Sequence, residues 1–353
     1  MKTVKIIGCG GYGGLGLIGL LLRHPGVKLQ TLVASAETGK PISALYPHLA
    51  GFCDLPVFAP DDPEAAEPAD LVFFATPDGV GQRGAAAELA RGSKVVDFSG
   101  DFRFTSAEDY AEYARRLGKP ETHAAPELLA ETVYGLPETN RAAYRPDQRL
   151  VGNPGCFATS CLLGAAPAVA AGLVDPDSLL FDCKSGISGA GKKPNAAHHY
   201  PARYDNMNAY KLAGHQHVME IERNLADFNG GKTPKVLMTT QVVPLCRGIL
   251  TCVYGTLAEG ATREKVLAAY RDFYAGAPFA RVYGRETPVG TATVRGSNCF
   301  AVTADADERT GKLRIVSHID NLMKGQSGAA VQNMNILLGF PETTALAFPG
   351  DYP

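Results

Sequence analysis

The chain has 353 residues, 45% hydrophobic and 20% charged, with 34 Lys and Arg against 36 Asp and Glu for a formal net charge of −2. That length suits two domains, the composition excludes a disordered chain, and the charge balance argues against a nucleic-acid partner. No apolar run approaches the ~18–20 residues of a membrane span, so the sequence reads as cytoplasmic with no membrane partner.

The first 155 residues alternate short apolar runs with helical stretches, the pattern of a parallel α/β sheet. The opening MKTVKIIGCG places basic residues before Val4, Ile6 and Ile7. So short an apolar run reads as a first strand rather than a signal peptide. A helix is expected over Leu15–Leu22 and a second strand over Val27–Ala34. Asp70–Ala75 and Lys94–Phe98 read as buried strands with an Ala-rich helix between them, and residues 106–150 as helix and loop. From Cys156 the character changes. An Ala/Leu-rich helix to Leu173 precedes longer strands at Leu179–Ser185, Val236–Val243, Thr251–Leu257, Phe300–Ala304 and Leu313–His318. Helices are expected at Thr262–Tyr274 and Gly328–Leu338. Long strands with few helices between them predict an α+β second domain on a mixed, mostly antiparallel sheet, after a Rossmann-type doubly wound parallel sheet. The domains are expected at 1–155, completed by a C-terminal helix within 320–353, and at 156–319. Gly186–Gly214 resists regular assignment, and a loop of that length is more often a lid or binding loop than a connector.

Gly8, Gly10, Gly11, Gly13 and Gly14, with Tyr12 among them, follow the first strand and open the first helix. They satisfy GxGxxG and GxxGxxG together, in the strand–turn–helix context that dinucleotide binding requires. The helix N-terminus then presents free N–H groups to the pyrophosphate. The second strand ends near Ser35 and Lys40, a hydroxyl and an ammonium that suit the 2′-phosphate of NADP, while Glu37 leaves NAD open. The eight Cys are scattered, with no CxxC pair and no metal-ligand spacing, so reduced thiols and no metal are expected. Cys161, Cys183 and Cys252 lie in apolar runs and read as core residues. Cys156 differs. It follows Gly152-Asn153-Pro154-Gly155 at a helix start, where the dipole favours a thiolate able to attack an acyl phosphate and hold a thioester.

The run Gly152 to Thr159, GNPGCFAT, resembles the cysteine signature of the N-acetyl-γ-glutamyl-phosphate reductases. The likeness extends over nearly the whole chain. It takes in the glycine turn, Ala75-Thr76-Pro77, Ser99 to Arg103, Tyr134 to Glu138, Ser185 to Gly191, Tyr210 to Ile221 and Val331-Gln332-Asn333. The resemblance implies NADPH-dependent reduction of N-acetyl-γ-glutamyl phosphate to the semialdehyde and phosphate, a step of arginine biosynthesis, by a homodimer or homotetramer. It implies that Cys156 is the nucleophile. Within the family-like Gly214-His215-Gln216-His217, one histidine would be the acid/base near its ordinary pKa of ~6.5, with His215 preferred and Glu220 orienting a ring. The i, i+2 spacing sets the two rings on different sides of a helix start. Pro77, Ser188, Gly189 and Asn333 would approach the cofactor, and Arg103, Asn153 and Arg247 the substrate's anionic groups. Where the family has Ser-Arg after the second strand this chain has Ser35-Ala36, which passes the 2′-phosphate to Lys40. Two other readings stand beside this one: a sibling acting on an aspartyl or aminoadipyl phosphate, and a non-catalytic NADP-binding redox sensor.

Overall fold

The computed structural model describes residues 1–352 and divides them into two units: 1–155 with 326–348, and 156–325 with 349 onward. In the first, the four apolar runs foreseen in the sequence become β1 (Lys2–Ile7), β2 (Val27–Val33), β4 (Leu71–Phe74) and β5 (Lys94–Asp97), and three short strands that were not foreseen join them: β3 (Val57–Phe58), β6 (Val133–Tyr134) and β7 (Leu150–Gly152). Their spatial order is β3-β2-β1-β4-β5-β7-β6, and every pairing is parallel. A parallel sheet needs helical crossovers that cover its faces, which is why β4 carries four successive buried apolar residues. The helices are α1 (Tyr12–Leu21), α2 (Ile42–Leu45), α3 (Gly81–Ala90), α4 (Ala107–Arg116) and α5 (Pro137–Asn140).

The second unit opens with α6 (Cys156–Ala170) and continues through β8 (Leu180–Ser185), α7 (Tyr200–Arg203), β9 (Asn208–Tyr210) and α8 (His217–Ala226). It is completed by β10 (Leu237–Val242), β11 (Ile249–Thr256), α9 (Arg263–Phe273), β12 (Ala280–Tyr283), β13 (Phe300–Asp307) and β14 (Lys312–Ile319). The sheet order is β12-β13-β14-β11-β8-β10-β9; four pairings are antiparallel, and β12–β13 and β8–β10 are parallel. Side chains alternate between buried and solvent-facing along β8 and β11, as expected of a sheet packed on one face.

Helix α6 carries the candidate thiol and is held unusually firmly. Thirteen of its fifteen residues are buried, and Pro167 interrupts it. Proline has no N–H to give the carbonyl four residues back. That carbonyl, Leu163 O, instead accepts the Tyr274 hydroxyl at 2.6 Å, and the Tyr270 hydroxyl donates to Gly164 O beside it. A buried carbonyl left unpaired costs about 1–3 kcal/mol, so the two tyrosines offset the break and fix the helix's position.

Two expectations are corrected. The stretch 186–214 is not structureless: it holds short 3₁₀ turns, α7 and β9, and β9 pairs with β10. Residues 320–353, expected to complete the first domain, divide between the two units. The helix α10 (Gly328–Leu338) packs on α1 and β5 in the first unit, whereas residues 320–325 and 349 onward group with the second. Among the described residues no helix is long and apolar enough to cross a membrane, and no group of three or more His, Cys, Asp or Glu is placed to hold a metal ion.

Candidate active site

In the first unit the glycine turn is shaped by backbone crowding. Gly8 sits at φ +93°, and a Cβ there would lie 2.8 Å from the Ala75 carbonyl carbon. A Cβ on Gly14 would come within 2.5 Å of Cys9 Cα. Glycine is therefore required at both ends of the turn, once for conformation and once for packing of helix on strand. Gly11 caps α1 without a side-chain hydrogen bond, and the first turn of α1, opened by Tyr12, contains no acid, so no negative side chain of that turn offsets the positive end of the helix. Gly10 O accepts the Tyr46 hydroxyl at 2.9 Å, which steadies the loop. Two buried polar atoms border this turn without a partner among the described residues: Thr76 Oγ1, whose methyl lies 3.0 Å from the Gly8 Cβ position, and Gln326 Oε1, whose amide lies 3.1 Å from that of Gly13. An open helix end, a cradle that any Cβ would fill and two unpaired polar atoms together fit a dinucleotide. Ser35 and Lys40 lie exposed beyond β2, with Glu37 between them in the left-handed region at φ 60°; Pro77 is exposed after β4.

At the carboxyl end of β5, Asp97 is wholly buried. Burial, then the nearby Asp101 charge, raises its pKa to about 8 against the pull of Ser99 and Arg103. One carboxyl oxygen accepts the Ser99 N–H and hydroxyl; the other faces Gly81 without a partner among the described residues. Asp97 is thus a neutral acid at pH 7.

The second unit contains the thiol. Cys156 is half-buried at the start of α6, and Gly325 passes so close that a Cβ on it would lie 2.8 Å from Cys156 Cβ. Cys156 borders a cavity of 370 Å³, with Tyr210, His215 and His217 among its walls. His215 precedes α8 and His217 opens it. Their rings are not on different sides of the helix start but 4.6 Å apart, both edge-on to Phe157. His215 is not poised at its ordinary pKa either. Burial first, then His217 and Lys211, pushes it down to about 2 against a smaller opposing effect of Glu220. Its Nδ1 accepts the His217 N–H at 3.1 Å, so the neutral ring carries its proton on Nε2. Glu220 lies buried one turn along α8.

The other anticipated contacts fall differently. Arg247 binds Asp320 through both carboxylate oxygens, at 3.0 and 2.9 Å, and Asp320 also accepts the Gly296 N–H. Arg103 donates to the backbone carbonyls of Asn153 and Phe98, at 2.9 and 2.6 Å. Asn153 and Asn333 are buried: Asn333 Nδ2 donates to Asn153 Oδ1 and Gly135 O, and its oxygen accepts the Tyr144 hydroxyl. These two amides tie the GNPG turn to α10 and have little capacity left for a ligand. Ser188 Oγ accepts the Asn321 amide, and Gly189 lines the thiol cavity. Sequence reasoning missed Arg203, a buried cation in the cavity wall that no motif marked, and Phe157, which stood in the signature but carried no chemical signal.

The family model described as semialdehyde dehydrogenase, NAD binding domain, matches residues 3–146, and that described as semialdehyde dehydrogenase, dimerisation domain, matches 156–321. The chain is 43% identical over 346 residues to the N-acetyl-gamma-glutamyl-phosphate reductase of Syntrophobacter fumaroxidans, with 98% of each chain covered. It is 42% identical over 354 residues to that of Symbiobacterium thermophilum, with 99% of each covered. Among solved structures, aspartate semialdehyde dehydrogenase II from Vibrio cholerae superposes with a TM-score of 0.72 at 16% identity, over 96% of this chain and 99% of that one, a likeness of fold.

Proposed function

The chain belongs to the semialdehyde dehydrogenases, among the N-acetyl-gamma-glutamyl-phosphate reductases, and from that premise we propose how its residues carry out the reduction of N-acetyl-γ-glutamyl phosphate to the semialdehyde and phosphate. Cys156 is the nucleophile. Its thiolate, favoured by the N-terminus of α6, attacks the acyl carbon. The C–S bond forms as the C–O bond to phosphate breaks, leaving a thioester on Cys156. The nicotinamide dinucleotide supplies a hydride when bound. Cys156 would hold the carbon that receives it, as the oxyanion of a hemithioacetal. The oxyanion then collapses, re-forming the C=O bond as the C–S bond breaks, which releases the aldehyde and regenerates the Cys156 thiolate; the proton consumed overall goes to the departing phosphate.

His215 acts on the oxygen that gains charge in both steps. Because its Nδ1 is occupied by the His217 N–H, the neutral ring offers Nε2–H as a donor. A pre-aimed donor in a low-dielectric cavity stabilises an oxyanion far better than a hydrated one. This modifies the expectation of an acid/base poised near its ordinary pKa: His215 serves as a neutral hydrogen-bond donor. His217 and Glu220 remain in the catalytic group as neighbours that set the charge and orientation of His215. The dinucleotide is held by Gly8, Gly10, Gly11, Tyr12, Gly13 and Gly14 with the N-terminal end of α1, and Pro77 and Asn333 of the same unit shape its surroundings. Ser35 and Lys40 favour NADP over NAD. Asn153 and Arg103 fix the turn before Cys156, and Arg247, through Asp320, holds the segment that passes against the thiol. We propose a homodimer or homotetramer assembled through the second unit.

The observation that carries this reading is a thiol at a helix N-terminus, in a cavity beside an imidazole kept neutral by burial. The test is phosphate-dependent reduction of NADP with N-acetylglutamate semialdehyde, compared with the aspartate and aminoadipate analogues. Acylated enzyme trapped by acid quench should map to the Cys156 peptide. A label elsewhere, or turnover confined to an analogue, would overturn it.

A further inference from the structure

We propose that Arg203 receives the substrate's anionic group in the thiol cavity. This rests on the reading of Cys156 as the nucleophile toward an acyl phosphate.

Arg203 ends α7 and is only 7% exposed. A guanidinium has five N–H donors. Four contacts are made, to Asn206 O at 3.2 Å, Val242 O at 3.4 Å, Ala197 O at 3.1 Å and Asn208 Oδ1 at 2.8 Å. All four acceptors are neutral. The fifth donor, Nε, is buried and has no partner among the described residues. No carboxylate among the described residues pairs with this cation, and a buried charge is ordinarily paired because desolvation is so costly.

Two buried carboxylates elsewhere follow that rule. Arg247 is paired with Asp320, and Arg263 and Arg314 share the buried Asp305. The exception lies where a ligand belongs. Arg203 lines the cavity that contains Cys156, and no Asp or Glu is among the residues that line it. A second cation, Lys211, is on the same wall, its ammonium donating to the neutral Gln216 side chain. With His215 uncharged, the cavity has a positive potential and an incomplete guanidinium fork, the complement of an oxyanion. The substrate carries two such groups, the α-carboxylate and the phosphate, and either would complete the fork.

The reverse reaction separates them, because semialdehyde and phosphate are then varied independently. In Arg203→Gln we expect the KM for the group bound by Arg203 to rise about 10–100-fold, as for loss of a buried charge-assisted hydrogen bond, with the NADP KM within about twofold. A rise for semialdehyde alone assigns the carboxylate; a rise for phosphate alone assigns the phosphate. A second readout needs no turnover. The rate of Cys156 alkylation by anionic iodoacetate, relative to neutral iodoacetamide, should fall about tenfold in the variant, because reagent charge is the only thing that changes. If Arg203→Gln does not stay folded, Arg203→Lys carries the same measurements, with the reagent ratio retained and a KM rise of a few-fold as the loss of the fork alone. Unchanged KM values with an unchanged reagent ratio overturn the proposal. So does a loss of kcat alone, which would make Arg203 only the tie between the 197–208 segment and β10. Failure of the parent reading looks different: the unaltered enzyme would not turn over the semialdehyde at all, while the reagent ratio would still report on Arg203.

Discussion

Each unit holds an ionisable group neutral by burial, and the two kinds of group are opposite. In the first, Asp97 is a buried acid whose pKa is raised to about 8, so it stays protonated. In the second, His215 and His318 are buried bases lowered to about 2 and about 4, so they stay neutral, each mainly through burial. The consequence for stability has opposite sign. Asp97 binds a proton in the fold that the unfolded chain has released, so its contribution is complete below pH ~4 and is lost as pH rises towards 8. The histidines exclude a proton that the unfolded chain accepts, so theirs is complete above pH ~6.5 and is lost as pH falls through 4 and below. The contrast extends to ligands. On the proposed function, the first unit would meet its ligand with glycine backbone and a helix end, where sterics decide, and the second with side chains, where charge and protonation decide.

The most forceful way to break this contrast is Cys156→Ala. Turnover should fall by about 10⁴-fold or more, with NADPH affinity unchanged by fluorescence titration. Measurable steady-state activity would remove chemistry from the second unit. Next in size, His215→Asn should lower kcat by about 10²–10³-fold, as for a lost oxyanion donor, and leave the nucleotide KM alone. If only His217→Asn has that effect, the donor is the other ring. The kcat/KM profile of the unaltered enzyme should show no His215 break near pH 6.5, because the ring is neutral there.

Gly8→Ala tests the steric side. Forcing a Cβ against the Ala75 carbonyl at φ +93° should cost about 2–4 kcal/mol in urea unfolding and weaken NADP binding, with the rate of Cys156 alkylation by iodoacetamide unaltered. A variant of full stability would mean that the turn is looser than its geometry implies. The smallest effects sharpen the pH contrast. Asp97→Asn should flatten the decline in stability between pH 5 and 8 and gain about 1 kcal/mol at pH 8, whereas His318→Gln should flatten the decline below pH 6.5. Slopes that steepen in either variant would reverse the assigned sign.

Several features were legible because they are local. Gly8, Gly11 and Gly14 are spaced for a turn between a strand and a helix, and such spacing expresses backbone conformation directly. Cys156 follows Gly-Asn-Pro-Gly at the onset of an Ala/Leu run, and a helix start can be read from its flanks. The order of apolar runs indicated both sheets, because parallel and antiparallel pairing leave different periodicities. The 186–214 segment was opaque for the opposite reason. Its short elements are held by β10 and by Arg203 rather than by any repeating pattern of their own.

The sequence by itself determined where the glycine turn, the Cys156 thiol at its helix start and the paired imidazoles lie along the chain, since each depends on residues within a few positions of one another. Tertiary structure alone decided their charge and availability. Arg247 is neutralised by Asp320, 73 positions away, while Arg203 is left unpaired; His215 is neutral and Asp97 protonated because distant segments exclude water from them. Desolvation and ion pairing depend on which remote surfaces meet, and no local spacing encodes that.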